Sequence, residues 1–377
     1  MSMREGNDSM GTAVTWDERF GTHDMGRAAL FLPIEGLVED DVHVDNPARI
    51  VRLRHLIESS GLDRIVRLSS VRKARVDELL RAHSKEHVQR MRVISETGGG
   101  DAGGGYTPMD AGSYDLAVLS AGSALSALEL VLNNRAENAY AMLRRSGHHA
   151  SRESGYGFCI FNNCAIAARA AQQAHQLDRV AIVDIDVHHG NGTEAIFYTD
   201  PSVLTISLHQ DRGFPADTGL SSHRGEGSGY GANLNVPLPA GVGDDAYVLA
   251  LDRLVAPALR AFAPELVIVA CGVDANVYDP MARLALTARG FASIADRLLE
   301  WSAELCDGRL LFVQEGGYSQ VYAPFCVLAI LETLARVPDR HPDPFEPFLA
   351  GCGFMEVAAH QRQEIERLAH ELRPAEV

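Results

Sequence analysis

The segment from Asp184 to Gly192 places acids and histidines at alternate positions after an apolar run. Asp184, Asp186 and His188 are two residues apart, so on a strand they share one face. A carboxylate and an imidazole at this spacing form a chelating pair for zinc or a similar divalent ion. A buried ion-pair network is the alternative, but no lysine or arginine lies nearby in the segment. The pattern therefore favours a metal site, because unpaired buried charges are costly.

A lone aspartate, Asp274, ends a second apolar run. By itself such a residue is most often a helix cap or a turn residue. At the same edge of a sheet, however, it is the natural third ligand beside Asp186 and His188. Two carboxylates and one imidazole leave coordination positions open for water and substrate, which is typical of a catalytic site.

Two further segments offer groups for proton transfer and for stabilising negative charge. The pair His148-His149 follows a predicted strand, and a histidine near neutral pKa is the usual general acid or base. Two surface histidines are the alternative. Tyr318 ends the turn that begins at Glu315, where its hydroxyl can point at developing negative charge. A simply packed tyrosine is equally consistent with that turn.

The elements that must position these residues alternate between strand and helix. Apolar, β-rich runs predict strands at 139–143, 179–186, 203–210, 266–274 and 309–317. Helical patterns cover 113–134, 163–176, 244–262 and 287–306, with a helical tail at 355–371. The runs are continuous rather than alternating, which indicates a parallel sheet buried on both faces. The predicted fold class is therefore α/β, with an open, mostly parallel central sheet and ligands bound at the carboxyl ends of its strands.

Composition narrows the class of protein further. The 377 residues carry a net charge of −16, which disfavours nucleic acid as a partner and suits a cationic one. No signal peptide is visible, and no apolar run approaches the ~20 residues that a membrane span requires. Six cysteines form no CxxC pair, so we predict free thiols and a cytoplasmic location. We expect one domain over residues 1–377, with roughly 15 flexible residues at the N-terminus.

One biased segment, GGGDAGGG at 98–105, does not fit these motifs. Its glycines lack the spacing of a phosphate-binding loop and follow no clear strand. We predict a mobile surface loop there.

Together, GHHA, GFCxxNN, DxDVHHGNGT, the VD at 273–274 and EGGY resemble the motifs of the histone deacetylase family. This is the zinc-dependent amidohydrolase branch of the arginase/deacetylase superfamily. The HGNG motif with Asn191 and the EGGY motif with Glu315 resemble the forms found in its class II members. The set of motifs as a whole resembles that of the bacterial histone deacetylase-like amidohydrolases. The resemblance runs from about Asn46 to Cys326. It implies hydrolysis of the amide bond of an acylated amine such as acetyl-lysine, with release of acetate and the free amine.

The resemblance also implies roles for single residues. His149 would be the general base and then the acid, and His148 its electrostatic partner, held by Asp184. Asn191 would face His149, at a place where class I members carry aspartate. Tyr318 would donate a hydrogen bond to the oxyanion. The residues implied to contact substrate are Gly157, Phe158, Phe214 and Gly317.

Two kinds of metal ion follow from the same resemblance. Zinc would be bound by Asp186, His188 and Asp274, and Fe(II) suits the same ligand set. Structural potassium would have an inner and an outer site. The residues implied for potassium are Asp184, Asp186, His188, Ser207 and Leu208 at the inner site, and Phe197, Asp200 and Val203 at the outer one.

Substrate and assembly stay open at this level. Acetylpolyamines and other small acylated amines compete with acetyl-lysine peptides, and Asp101, Glu153 and Asp217 are candidate acidic residues at the rim. A metal-binding interaction module without catalysis and a two-manganese ureohydrolase are alternatives of other classes. The complete set of motif residues disfavours the module, and the single VD disfavours the ureohydrolase. We expect a homo-oligomer, as is frequent among similar proteins.

Overall fold

A computed structural model describes residues 11–32, 34 and 36–372 of the chain. At its centre lies an eight-stranded sheet in which every paired neighbour runs parallel, in the order β10-β9-β8-β11-β12-β7-β1-β4. Two small antiparallel pairs, β2–β3 and β5–β6, stand apart from it. The strands are β1 (Thr12–Thr15), β2 (Arg27–Ala28), β3 (Asp41–Val42), β4 (Arg67–Ser69), β5 (Gly99–Asp101), β6 (Pro108–Asp110), β7 (Asn138–Ala141), β8 (Val180–Asp184), β9 (Val203–Gln210), β10 (Asn233–Leu238), β11 (Leu266–Cys271) and β12 (Leu310–Gln314).

Helices surround the main sheet. They are α1 (Ala48–Ser59), α2 (Val76–Leu79), α3 (Lys85–Glu96), α4 (Ser113–Leu132), α5 (Asn163–His175), α6 (Asn191–Phe197), α7 (Asp244–Ala250), α8 (Ala256–Phe262), α9 (Ala288–Leu305), α10 (Ala323–Leu334), α11 (Glu346–Leu349) and α12 (Ala359–Glu371). The π-helical segment Leu251–Val255 joins α7 to α8, so the helix predicted at 244–262 is continuous. The predicted α/β class and parallel sheet are confirmed.

The central strands are buried because they are apolar on both faces. Every residue of β8, β11 and β12 is buried, as the continuous apolar runs predict. Each of these strands is shorter than predicted: β8 ends at Asp184, β11 at Cys271 and β12 at Gln314, and the remaining polar residues of each predicted run lie in the loop beyond the strand. The prediction missed β1, β4 and β10, which extend the sheet on both sides.

The prediction of about 15 flexible residues at the N-terminus was wrong for residues 12–15. Residues 12–15 form β1, which is buried and pairs with both β4 and β7 rather than being flexible. Residues 1–10 lie outside the described part of the chain.

The glycine-rich segment is a hairpin rather than a loop without regular structure, which corrects the prediction at 98–105. Gly99–Asp101 pairs with Pro108–Asp110. The Asp101 carboxylate accepts hydrogen bonds from the backbone amides of Gly103, Gly105 and Thr107, at 2.8, 3.0 and 2.8 Å. A side-chain acceptor that satisfies three amides of one turn gives the glycines a defined conformation.

The prediction that no apolar stretch approaches the length of a membrane span does not hold for helix α4. Its 20 residues are long and apolar enough by composition, and it is the one such helix within the described residues. However, 78% of its most apolar window is buried inside the protein, where it packs against β1, β7 and α5. Its composition is therefore that of a core helix.

Buried neutral histidines hold the segment 151–162, which follows the histidine pair. His83 donates through Nδ1 to the Ser151 carbonyl at 2.9 Å and accepts from the Asn162 amide at Nε2 at 2.8 Å. His87 donates to the Ile160 carbonyl at 2.8 Å and accepts from Arg90 at 3.0 Å. Each ring thus uses one nitrogen as an acceptor, which requires the neutral form.

These histidines predict a loss of stability in acid. Burial lowers the pKa of His83 to about 3 and of His87 to about 4. A third buried histidine, His209 on β9, has its pKa lowered by burial to about 3. In the unfolded chain their pKa values are near 6.5, so below that pH the unfolded state binds more protons and the free energy of unfolding falls. We expect a loss of about 2 kcal/mol per histidine between pH 7 and pH 5. Urea unfolding at both pH values measures it.

The control for this prediction is a pair of histidine variants. In His87→Gln the loss of unfolding free energy between pH 7 and pH 5 should be smaller than in the wild type by about 2 kcal/mol, the contribution of one histidine. The variant His55→Gln, at an exposed site, should show the same loss as the wild type. Equal free energies of unfolding at pH 7 and pH 5 would contradict the assignment of neutral buried rings.

Candidate active site

Four loops meet at the carboxyl ends of adjacent strands. The strands β8, β11, β12 and β7 are neighbours in that order, and each is followed by one of the sequence motifs. The loops carry Asp186 and His188, then Asp274, then Tyr318, and finally the histidine pair at 148–149. Because all four strands are parallel, their carboxyl ends share one edge of the sheet, and the motifs come together there.

Asp186, His188 and Asp274 converge as a ligand set. One ligand atom of each lies within 4.8 Å of the others, and all three side chains are buried. His188 Nδ1 is 3.0 Å from Asp186 Oδ1 and 3.1 Å from Asp274 Oδ2. The remaining carboxylate oxygens are held by backbone amides, of Val187 on Asp274 and of Gly316 on Asp186, both at 2.9 Å.

The chemistry of this set fits a divalent cation. Burial and the neighbouring Asp186 raise the pKa of Asp274. Two carboxylates in one buried site repel each other when both are ionised, and a bound cation would stabilise the ionised pair. Asp274 Oδ2 is buried without a hydrogen-bond partner of adequate geometry. At Gly316 a Cβ atom would overlap both carboxylates, so only glycine permits this approach of the backbone. Two carboxylates and one imidazole suit zinc or ferrous iron.

His148 and Asp184 form a buried pair beside the ligands. His148 Nδ1 lies 2.9 Å from Asp184 Oδ2, and its Nε2 is 3.8 Å from Asp186. Burial opposes a charge on His148, but the Asp186 and Asp184 carboxylates outweigh it and raise the pKa of His148 to about 10. Glu315 adds to this arrangement, because its Oε2 accepts from the backbone amides of Gly147 and His148 at 2.5 and 3.2 Å.

The pKa of His149 is shifted in the opposite direction to that of His148. Its Nδ1 is 2.7 Å from Asn191 Oδ1, so the two residues face each other as the sequence predicts. Burial lowers the pKa of His149 well below its usual value, and the neighbouring His148 and His188 act in the same direction. Since the Asn191 oxygen can only accept, the Nδ1 atom carries the proton and Nε2 is free to act as a base.

The variant Asn191→Asp tests this orientation through the pH dependence of activity. A carboxylate at the same position favours the charged imidazole, so the pKa of His149 should rise, by about one unit or more. The acidic limb of the kcat/KM profile should therefore move to higher pH. Rates from pH 5 to pH 9 on an acetyl-lysine peptide measure it, with Asn134→Asp at a surface turn as the control. An unmoved acidic limb would contradict the assigned contact.

Tyr318 is fixed from two sides at the site. The Asp279 carboxylate accepts from the backbone amides of Tyr318 and Ser319 at 2.7 and 3.2 Å. The Arg49 guanidinium lies 4.9 Å from the centre of the Tyr318 ring. Arg49 also donates to the carbonyls of Gly317 and Glu315 at 3.0 and 2.6 Å, so the whole turn is anchored.

A narrow, largely aromatic cavity of about 110 Å³ leads to these groups. His149, His188 and Tyr318 line its base. The edge of the Phe158 ring meets Tyr318 at 5.8 Å between ring centres, and Phe214 meets His149 at 5.1 Å. The other lining residues are Phe31, Tyr106, Gly157 and Met281. Gly157 and both predicted aromatic walls thus lie in the cavity, whereas Gly317 contributes its carbonyl to Arg49.

The residues predicted for potassium fall into two places. Asp184 and Ser207 are register partners on β8 and β9, next to Leu208, so the inner set is contiguous. At the outer set, both Asp200 carboxylate oxygens are already used, by Arg169 at 2.7 Å and by Ser202. The oxygens of the outer set that these contacts leave for a cation are the backbone oxygens of Phe197, Asp200 and Val203.

Sequence reasoning missed four residues at this site. Arg49, in the first turn of α1, gave no clear signal; it contacts Asp45, in the loop before that helix, at 2.7 Å. Tyr106 directly follows the glycine-rich segment, and Met281 follows the pair Asp279-Pro280. Phe31 offers no signal, because only the tertiary structure brings its segment to the cavity.

Fold and site together define a class of protein. A parallel α/β sheet with a two-carboxylate, one-imidazole ligand set, a histidine pair and a tyrosine at its strand ends is typical of metal-dependent hydrolases.

The comparisons with known proteins give the family. The model of the histone deacetylase domain matches residues 43–334, and the chain belongs to this family. It is 42% identical to a histone deacetylase-like amidohydrolase of Pseudomonas aeruginosa over 95% of both chains. It is 38% identical to a probable deacetylase of Archaeoglobus fulgidus, over 82% of this chain and 87% of that one. The crystal structure of the HDA15 HD domain matches with a TM-score of 0.82 at 29% identity, over 97% and 96% of the two chains. The protein is an amidohydrolase that deacetylates acylated amines.

Proposed function

We propose that the protein is a zinc-dependent deacylase for acetyl-lysine-type side chains. The observation that carries this proposal is the position of His149, His188 and Tyr318 in the lining of one narrow cavity, with Asp186 and Asp274 in contact with His188 behind it. Asp186, His188 and Asp274 would hold the ion, with ferrous iron as the alternative metal. When bound, the ion supplies Lewis acidity for the water and for the amide carbonyl.

The chain's own residues supply the other steps of amide hydrolysis. His149 Nε2 accepts a proton from the attacking water and later delivers it to the leaving amine nitrogen as the C–N bond breaks. The Tyr318 hydroxyl donates a hydrogen bond to the oxygen that becomes negative. Phe158 and Phe214 hold the alkyl chain and exclude water, and the products are a carboxylate and a free amine.

The lining of the cavity favours acetyl-lysine over acetylpolyamines. Among the described residues that line it none is acidic, so it lacks a carboxylate for a second ammonium group of a polyamine. The Asp101 carboxylate is used by three backbone amides, the Glu153 carboxylate accepts from Ser84, and Asp217 is exposed away from the lining. None of the three predicted rim carboxylates is among the residues that line the cavity.

A comparison of two substrates tests this preference. We expect kcat/KM for an acetyl-lysine peptide to exceed that for N-acetylputrescine by about tenfold or more, because the ammonium group of N-acetylputrescine would lie at the mouth of an aromatic cavity whose lining offers it no carboxylate. Both rates should be measured with the purified zinc form at one ionic strength, and a neutral N-acetylated amine of the same length serves as the control. Equal or inverted values would favour the polyamine alternative.

The remaining expectations are proposals supported by single observations. All six cysteines are free and five are buried, which supports a reducing, cytoplasmic location. The inner ligand set supports structural potassium, and the net charge of −16 supports the expectation that nucleic acid is not a partner. One continuous sheet supports a single catalytic domain. Exposed leucines at 30 and 32, on either side of the cavity-lining Phe31, and at 37 support a homo-oligomer.

A further inference from the structure

The glycine hairpin β5–β6 delivers a side chain to the cavity entrance. Tyr106, in its turn, lines the cavity and meets Phe31 edge-on at 5.9 Å and Phe214 at 6.5 Å between ring centres. We call Phe31, Tyr106 and Phe214 the aromatic collar. Phe214 also contacts His149 and His188, so Tyr106 and Phe31 form the collar's outer side.

Contacts on the far side of the hairpin fix this position. Gly104 has a positive φ of 73°, and a Cβ atom there would overlap the Tyr156 ring. That ring stacks on Phe214, with 5.1 Å between ring centres and an angle of 5° between planes. The Phe158 amide donates to Thr107 Oγ1 at 3.3 Å, which joins the hairpin to the inner wall. The turn is therefore seated on the walls of the cavity rather than free in solvent.

Asp101 determines the shape of the turn. Its two carboxylate oxygens accept from three amides, and the last of these belongs to Thr107, directly after Tyr106. The direction of the Tyr106 side chain thus depends on a carboxylate that does not line the cavity.

We propose that Tyr106 is a specificity-determining residue and that Asp101 is the residue that positions it. The collar admits an acylated amine on an unbranched methylene chain and rejects a branch at the level of Phe31 and Tyr106. Tyr106 and Phe31 would thus set how much bulk the outer methylene groups of the acetyl-lysine-type side chain can carry. This inference rests on the proposed deacylase function and adds the element that selects the chain.

Two peptides test the inference, one with acetyl-lysine and one with the same residue carrying a methyl branch on its γ-carbon. For the wild type we expect kcat/KM to favour the linear peptide by about tenfold or more. Tyr106→Ala should reduce that preference to about twofold, with a higher KM for the linear peptide and a kcat within about twofold of the wild type. Tyr106→Phe keeps the ring and should retain the preference.

A second pair of variants separates positioning from general stability. Asp101→Asn leaves one acceptor oxygen where the wild type has two, so the amides of Gly103, Gly105 and Thr107 can no longer all be satisfied, and the linear preference should fall in the same direction as in Tyr106→Ala. Asp115→Asn, at an exposed carboxylate that pairs with Lys73, is the matched control and should change nothing. Thermal unfolding of each variant should stay close to the wild type, because Asp101 is exposed and Tyr106 is only partly buried.

The outcomes are distinct. If the wild type hydrolyses the linear peptide but Tyr106→Ala keeps the full linear preference, the inference is wrong while the proposed function stands. The same holds if Asp101→Asn lowers only kcat and the unfolding temperature. If the metal-loaded wild type hydrolyses neither peptide nor any other acylated amine, the proposed function itself fails.

Discussion

Replacement of His149 by alanine is expected to lower kcat on an acetyl-lysine peptide by about 10³-fold, within the 10²–10⁴-fold range of general acid–base catalysis. The ring is the only cavity-lining base that is not among the metal ligands in the described part of the chain. Burial keeps its pKa low, so it is neutral and ready to accept a proton. The amine product is a poor leaving group until it is protonated, so the loss affects both halves of the reaction.

The measurement is steady-state kinetics with KM determined separately. KM should change little, because His149 acts on the reacting atoms more than on the alkyl chain. His55→Ala, at an exposed site, serves as the matched control, and the metal content of both variants should equal that of the wild type. A His149→Ala variant with more than about a tenth of wild-type kcat would remove this residue from the proposed role.

Replacement of Tyr318 by phenylalanine should cost about 10²–10³-fold in kcat, the usual effect of removing one oxyanion donor. The ring should keep its place, since Asp279 holds the backbone and both Arg49 and Phe158 contact the ring. Burial raises the pKa of Tyr318, so its hydroxyl keeps the proton that it must donate. The variant thus removes a hydrogen bond and little else.

Two controls make this second prediction specific. Tyr278→Phe, a partly exposed tyrosine that packs on Tyr322, should leave kcat unchanged. Binding of the linear peptide to Tyr318→Phe should stay within a few-fold of the wild type, because the ground-state carbonyl carries little charge. Wild-type turnover by Tyr318→Phe would instead mean that the hydroxyl does not face the reacting carbonyl.

The parts of the fold that the sequence predicted are those with one consistent signal. The strands β8, β11 and β12 are apolar up to their last residue and are buried along their whole length. By contrast, β4 has only three residues, two of them exposed, and β10 contains asparagine and proline. Such strands form because a neighbour offers unpaired backbone groups, which is information that local composition does not carry.

The candidate site divides in a similar way. Asp186, His188 and Asp274 were predictable because ligand chemistry restricts both residue type and spacing. The walls at Phe31 and Tyr106 depend on contacts between segments far apart in the chain, and no spacing rule connects them. In the glycine-rich segment the glycines dominate the pattern and predict a mobile loop, whereas one carboxylate, that of Asp101, fixes its turn.

Metal content measured together with activity tests the central claim most directly. The purified chain should bind one divalent ion, lose deacylase activity on an acetyl-lysine peptide when a chelator removes it, and regain activity with one equivalent of zinc. Asp274→Asn should lose both metal and activity, whereas Asp252→Asn, at a half-exposed ion pair, should keep both. Two manganese ions per chain, or full activity without metal, would contradict the account.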